Sequence, residues 1–122
     1  QEELEGILLP KFEQYRVKHD LYTYQHLISF YLNLREYPTV LKLYQRMKTK
    51  DQIEPNQVIL NHLFECGLRM KDSETIYTTL EEYLEKKKEP PLYLLKKINN
   101  VENLPDRIYM ILKENWDHYG II

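Results

Sequence analysis

Apolar residues recur at helical spacing along most of the chain. Tyr24, Leu27, Ile28 and Tyr31 stand at i, i+3, i+4 and i+7, which is the spacing of a helix with one buried face. The same periodicity predicts helices over about 21–34, 38–50, 58–68, 73–84, 92–98 and 106–118. No run alternates apolar and polar residues between turn signals, as a strand would. The pattern therefore predicts an all-helical fold.

The helical pattern repeats with a constant period. Leu60 stands 36 residues after Tyr24, and Leu95 stands 35 residues after Leu60, so each unit is one helical hairpin. We expect an N-terminal helical segment over residues 1–20 and a helical-repeat domain over 21–122. Within that domain the predicted hairpins are about 21–56, 57–91 and 92–118.

Three short motifs in the first unit carry a family resemblance. Residues 23–28 read TYQHLI, residues 41–47 read LKLYQRM, and residues 53–56 read IEPN. At this spacing the segments resemble the pentatricopeptide repeat, and the unit over 57–91 resembles it less closely. The resemblance implies a short right-handed solenoid of about three helical hairpins, related to tetratricopeptide-like stacks. Arg35 and Lys71 stand where the family usually has a turn glycine.

A looser similarity involves a respiratory-chain protein. Residues 33–43, NLREYPTVLKL, resemble the second-helix region of cytochrome c oxidase subunit Va, itself a short stack of helical hairpins on the matrix side. Both resemblances imply a mitochondrial protein on the matrix side, with the cytoplasm as the other location.

Composition argues against an enzyme. Three glycines cannot form a phosphate-binding loop, and His62 and Cys66, four residues apart, lack the further ligands of a metal site. We therefore expect no catalytic residues, no metal, no cofactor and no small-molecule substrate. No apolar run approaches the roughly 18 residues of a membrane span. The net charge of −2 gives no basic footprint for nucleic acid.

The leading hypothesis is a non-enzymatic scaffold. Stacked hairpins build a surface suited to an extended segment or a partner helix, and the 11 tyrosines suit an interface. We expect an accessory subunit that binds protein subunits of a larger assembly, such as a respiratory-chain or mitoribosomal complex.

The alternative hypothesis is binding of single-stranded RNA, which the family resemblance implies. In that family two or three side chains per hairpin read one base. The base-selecting pairs fall on Gln25 with Asn56 and on Asn61 with Pro91, whose ring nitrogen carries no hydrogen to donate. The base-packing positions fall on Tyr22 and Val58. Lys96 and Lys97 supply a local basic patch for phosphates.

Overall fold

The computed structural model describes residues 20–119, with the side chain of residue 119 left out. All regular secondary structure in this range is helical, and the range contains no strand. The α-helices are α1 (Leu21–Asn33), α2 (Tyr37–Thr49), α3 (Gln57–Met70), α4 (Ser73–Glu85), α5 (Leu92–Lys97) and α6 (Asp106–Trp116). Two short 3-10 helices cover Ile98–Asn100 and Asp117–Tyr119. The all-helical prediction is confirmed, and the predicted N-terminal segment lies outside the described residues except for its last position.

The chain divides into two compact units, Gln1–Asn56 and Gln57–Ile122. The first contains α1 and α2, which pack against each other. The second contains α3 to α6, in which α3 packs against α4 and against the short α5, and α4 packs against α6. The proposed division into repeats at about 21–56, 57–91 and 92–118 stays a prediction.

In the first unit, α1 begins at a side-chain cap and buries one face. Asp20 Oδ1 accepts a hydrogen bond of 2.8 Å from the Thr23 backbone N–H, which satisfies one of the unpaired donors of the first turn. The buried residues of α1 are Tyr24, Ile28, Tyr31 and Leu32. They pack on α2, whose buried residues are Thr39, Val40, Leu43, Tyr44 and Met47. Three residues of the predicted stripe, Tyr24, Ile28 and Tyr31, therefore lie in the core of this unit, whereas Leu27 is only half-buried.

A buried tyrosine ties the end of α2 back to α1. Tyr24 is fully buried, and its hydroxyl donates a hydrogen bond to Asp51 Oδ2 in the segment after α2. Burial and the neighbouring Asp51 carboxylate together raise the pKa of Tyr24 above its ordinary value of 10.0. The hydroxyl is therefore a permanent donor at neutral pH, and it anchors the 51–56 segment.

Three helices end in a left-handed residue that is not glycine. Arg35, Lys71 and Lys87 have φ values of 62°, 55° and 56°. In the turn after α1, the Arg35 N–H donates to Leu32 O and the Glu36 N–H donates to Tyr31 O. These are the two hydrogen bonds of a Schellman motif. The same pair of bonds closes α3 at Lys71 and α4 at Lys87. Arg35 and Lys71 thus lie where the family glycine would relieve strain.

The second unit has one continuous apolar core. Its members come from all four helices and the loop between α5 and α6: Leu60, Phe64, Leu68, Ile76, Leu80, Tyr83, Leu94, Leu95, Ile98, Val101, Leu104, Ile108, Leu112 and Trp116. Alanine, the residue that usually allows two helices to approach closely, does not occur in the chain. At the α3–α4 contact, however, a glycine takes that place. A Cβ on Gly67 would lie 3.0 Å from Thr75 Cγ2 and 3.2 Å from the Ile76 nitrogen.

Candidate functional site

The predicted ligand-binding residues occupy matching places on two helices. Tyr22 and Gln25 lie in the first turns of α1, and Val58 and Asn61 lie at the corresponding places on α3. In each helix the apolar residue precedes the amide by three positions, so the two side chains share one face. Tyr22 is 66% exposed and Val58 is 40% exposed, while both amides are partly exposed. Each unit therefore offers an apolar surface beside an amide.

In the first unit the two predicted base-selecting residues contact each other. Asn56 Nδ2 donates a hydrogen bond of 2.8 Å to Gln25 Oε1 across 31 residues of chain. The amide oxygen of Gln25 is thus occupied by a protein donor. Among residues 20–119, the Gln25 amide nitrogen has no hydrogen-bond partner. Gln25 therefore offers a ligand a donor.

In the second unit the amide oxygen of Asn61 also accepts hydrogen bonds from the protein, but from different residues. Its Oδ1 accepts hydrogen bonds from the Tyr83 hydroxyl at 2.7 Å and from Gln57 Nε2 at 3.0 Å. Gln57 Nε2 also donates to the Glu89 carbonyl at 2.8 Å. The Asn61 amide nitrogen has no hydrogen-bond partner within the described part of the chain. Asn61, like Gln25, therefore offers a donor.

Pro91 explains why the second unit needs other donors. It stands at the position that Asn56 occupies in the first unit, and it has no side-chain donor. Its carbonyl accepts the backbone N–H groups of Leu94 and Leu95, both at 3.1 Å, and so begins α5. Tyr83 and Gln57 supply the hydrogen bonds to Asn61 in its place. Sequence reasoning identified Asn61 but neither of these two residues, because no local signal links them to it.

The basic residues lie at the edges of this arrangement. Lys96 and Lys97 are exposed on α5, and Lys97 Nζ lies 5.7 Å from the Tyr93 ring centroid. Lys97 also lines a shallow cleft of about 190 Å³ that includes Glu65, one helical turn beyond Asn61 on α3. The hydrogen bond between Gln57 and Glu89 brings the loop that follows the lysine run 86–88 to the start of α3. Cations therefore adjoin the Asn61 face without lining it.

His62 and Cys66 are packing residues in the second unit. Burial lowers the pKa of His62, opposed by Glu65, so the imidazole is neutral at pH 7. Burial, with smaller effects of Asp72 and Glu65, raises the pKa of the Cys66 thiol to about 12. A thiol held in this form is a poor nucleophile and a poor metal ligand. No cluster of three or more potential metal-ligating side chains occurs in the part of the chain that the structure describes.

A second surface lies between α4 and α6. It is a groove of about 320 Å³ lined by Tyr77, Leu84, Arg107, Met110, Ile111, Glu114 and Asn115. Met110 is 59% exposed, a large fraction for an apolar side chain. Arg107 stacks over the Tyr77 ring at 4.4 Å and pairs with Glu74 at 2.6 Å. The groove therefore combines apolar side chains, among them Met110 and Ile111, with the Arg107 cation, which Tyr77 and Glu74 hold in place.

The chain is similar to a known family over about its first half. Residues 7–65 match the pentatricopeptide repeat domain, so the predicted resemblance is confirmed for that segment. Comparison with curated proteins finds no match. Within residues 20–119, no helix is long and apolar enough to cross a membrane.

Proposed function

We propose that the chain binds single-stranded RNA. Residues 7–65 match the pentatricopeptide repeat domain, and domains of that family are generally non-enzymatic scaffolds for RNA or protein. The carrying observation is the recurrence of one arrangement in two units. In each, an exposed apolar side chain lies three residues before an amide whose oxygen accepts a hydrogen bond from the protein and whose nitrogen is available, although the Gln25 oxygen accepts one bond and the Asn61 oxygen two. A base can pack on Tyr22 or Val58 while its edge accepts a hydrogen bond from Gln25 or Asn61.

The number of positions limits the affinity. Each base contact of this kind contributes roughly 1–3 kcal/mol, so two positions supply about 2–6 kcal/mol. That corresponds to dissociation constants from tens of micromolar upward. Lys96 and Lys97 add phosphate contacts, but the net charge of −2 keeps this term small. The chain is therefore expected to act on RNA beside other RNA-binding subunits.

The test is fluorescence anisotropy with labelled single-stranded RNA of about ten nucleotides, each a homopolymer. The double variant Val58→Ala with Asn61→Ala should bind at least about fivefold more weakly than the native chain. The matched control, Met110→Ala with Asn115→Ala, also removes one exposed apolar group and one amide, but from the α4–α6 groove. Equal affinities of the native chain and the Val58/Asn61 variant would refute the proposal.

A second candidate function rests on the α4–α6 groove. Its exposed Met110 and fixed Arg107 suit a partner protein, which supports an accessory subunit of a larger mitochondrial complex, respiratory-chain or mitoribosomal. A pull-down at about 150 mM salt, with and without ribonuclease, separates the two functions. A stoichiometric set of proteins that survives nuclease and is lost in the Met110/Asn115 variant would support the subunit. The same cells, fractionated, test the proposed matrix-side location.

A further inference from the structure

Tyr83 has a buried hydroxyl aimed at the candidate site. The residue is 0% exposed, and its Oη donates a hydrogen bond of 2.7 Å to Asn61 Oδ1. Asn61 lies on α3, 22 residues earlier in the chain. The Phe64 ring packs against the Tyr83 ring edge to face, with centroids 5.9 Å apart and planes at 75°. Burial raises the pKa of Tyr83 above its ordinary value of 10.0, so the hydroxyl keeps its proton at neutral pH. Its donor atom is therefore fixed in place and in protonation.

Among residues 20–56, the described part of the first unit, no hydroxyl stands at the corresponding place. Met47 stands 36 residues before Tyr83, at the same place in the period that relates Tyr24 to Leu60. The buried tyrosine of the first unit, Tyr24, lies instead on the first helix and donates to Asp51. In the second unit, a hydroxyl on α4 therefore holds the amide of Asn61 on α3. The described residues of the first unit hold Gln25 differently, through Asn56.

We propose that Tyr83 is a positioning residue that, together with Gln57, holds the Asn61 carboxamide with its amide nitrogen outward. This inference rests on the proposed function, in which Asn61 contacts an RNA base. A rotation through 180° would place the Asn61 NH2 group against Gln57 Nε2, whose direction is set by its bond to the Glu89 carbonyl, and would break the 2.7 Å bond from the Tyr83 hydroxyl to Oδ1. Asn61 then acts as a hydrogen-bond donor only.

A donor of fixed direction distinguishes a carbonyl from an amino group. Uracil and cytosine have the same shape, but at C4 uracil carries an oxygen acceptor and cytosine an amino donor. For a base held with C4 toward Asn61, the fixed amide therefore bonds the uracil oxygen and is repelled by the cytosine amino group. Loss of the Tyr83 hydroxyl leaves the Asn61 oxygen with the longer bond from Gln57, so the amide should rotate more readily and serve either base, and discrimination should fall more than overall affinity.

The experiment compares native chain, Tyr83→Phe and the control Tyr109→Phe, an exposed tyrosine on α6. Phe keeps the buried ring, and circular dichroism checks that the variant folds. The first readout is the ¹⁵N relaxation of the Asn61 side-chain NH2 group without RNA. We expect a rigid amide in the native chain and in the control, and a mobile one in Tyr83→Phe. Equal rigidity in all three proteins would overturn the positioning role.

The second readout is the ratio of affinities for oligo-U and oligo-C. We expect the native chain to prefer oligo-U, and Tyr83→Phe to lower that ratio by about three- to tenfold. An unchanged ratio in a variant whose amide is mobile would overturn the donor role of Asn61. If the native chain binds neither RNA, the proposed function itself fails and the donor role with it, while the relaxation data still decide whether Tyr83 positions Asn61.

Discussion

Three helices end in a non-glycine residue of left-handed conformation, and replacing these three residues by glycine should stabilise the protein. Arg35, Lys71 and Lys87 each end a helix with a φ between 55° and 62°, where a Cβ approaches the following carbonyl. This conformation costs an ordinary residue about 1–2 kcal/mol. Glycine removes that cost but loses about 0.5–1 kcal/mol of extra backbone entropy on folding. The net gain is about 0.5–1 kcal/mol at each site.

The sites lie in separate turns, so their effects should add to about 1.5–3 kcal/mol in the triple variant Arg35→Gly, Lys71→Gly and Lys87→Gly. Urea unfolding followed by circular dichroism measures the free energy of unfolding of each variant. Arg35→Ala is the charge control, because it removes the guanidinium but keeps the Cβ. Gln45→Gly, at an exposed position inside α2, is the propensity control and should lose about 1 kcal/mol.

Two results would contradict the claim that these three turns store backbone strain. If Arg35→Ala stabilises as much as Arg35→Gly, the gain comes from removing charge and not from relieving backbone strain. If the triple glycine variant is no more stable than the native chain, the turns do not store the strain that the φ values indicate. The native chain with its three charged turn residues is then already at its optimum at these positions.

Two further predictions follow from buried groups. Because burial raises the pKa of the Cys66 thiol to about 12, native protein at pH 8 should react with a thiol reagent many times more slowly than urea-unfolded protein, and equal rates would contradict the burial. The pKa of Tyr24 is raised above 10.0 in the folded state. Below that value stability should not depend on this group, and as the pH rises above it the unfolded state loses its proton first, so the free energy of unfolding should fall. Tyr24→Phe should flatten this alkaline decline in urea titrations, and an unchanged slope would contradict it.

Local patterns predicted the helices and their connections well. The i, i+3, i+4 spacing located α1, and Pro38 correctly indicated the first turn of α2. The turn positions of Arg35 and Lys71 were recognised as glycine sites by resemblance, and their positive φ values agree. Lys87 adopts the same conformation without any such signal, because it lies within a lysine run typical of a solvated loop.

The candidate site was only half predictable. The family resemblance identified the amides Gln25 and Asn61, but which atom each offers depends on partners 22 or 31 residues away in the chain. Tyr83 falls within the predicted helix over 73–84, and it is buried. Its hydroxyl has no sequence signature, because periodicity reports which face a residue occupies and not where a single polar atom points.

The central claim is that the Gln25 and Asn61 amides face a nucleic acid ligand. The most direct measurement is a titration of ¹⁵N-labelled protein with single-stranded oligo-U, followed through the side-chain NH2 resonances. We expect the NH2 signals of Gln25 and Asn61 to shift with a common dissociation constant. The NH2 signal of Asn115, in the α4–α6 groove, should not shift. Shifts confined to the groove, or no shifts at all, would contradict it.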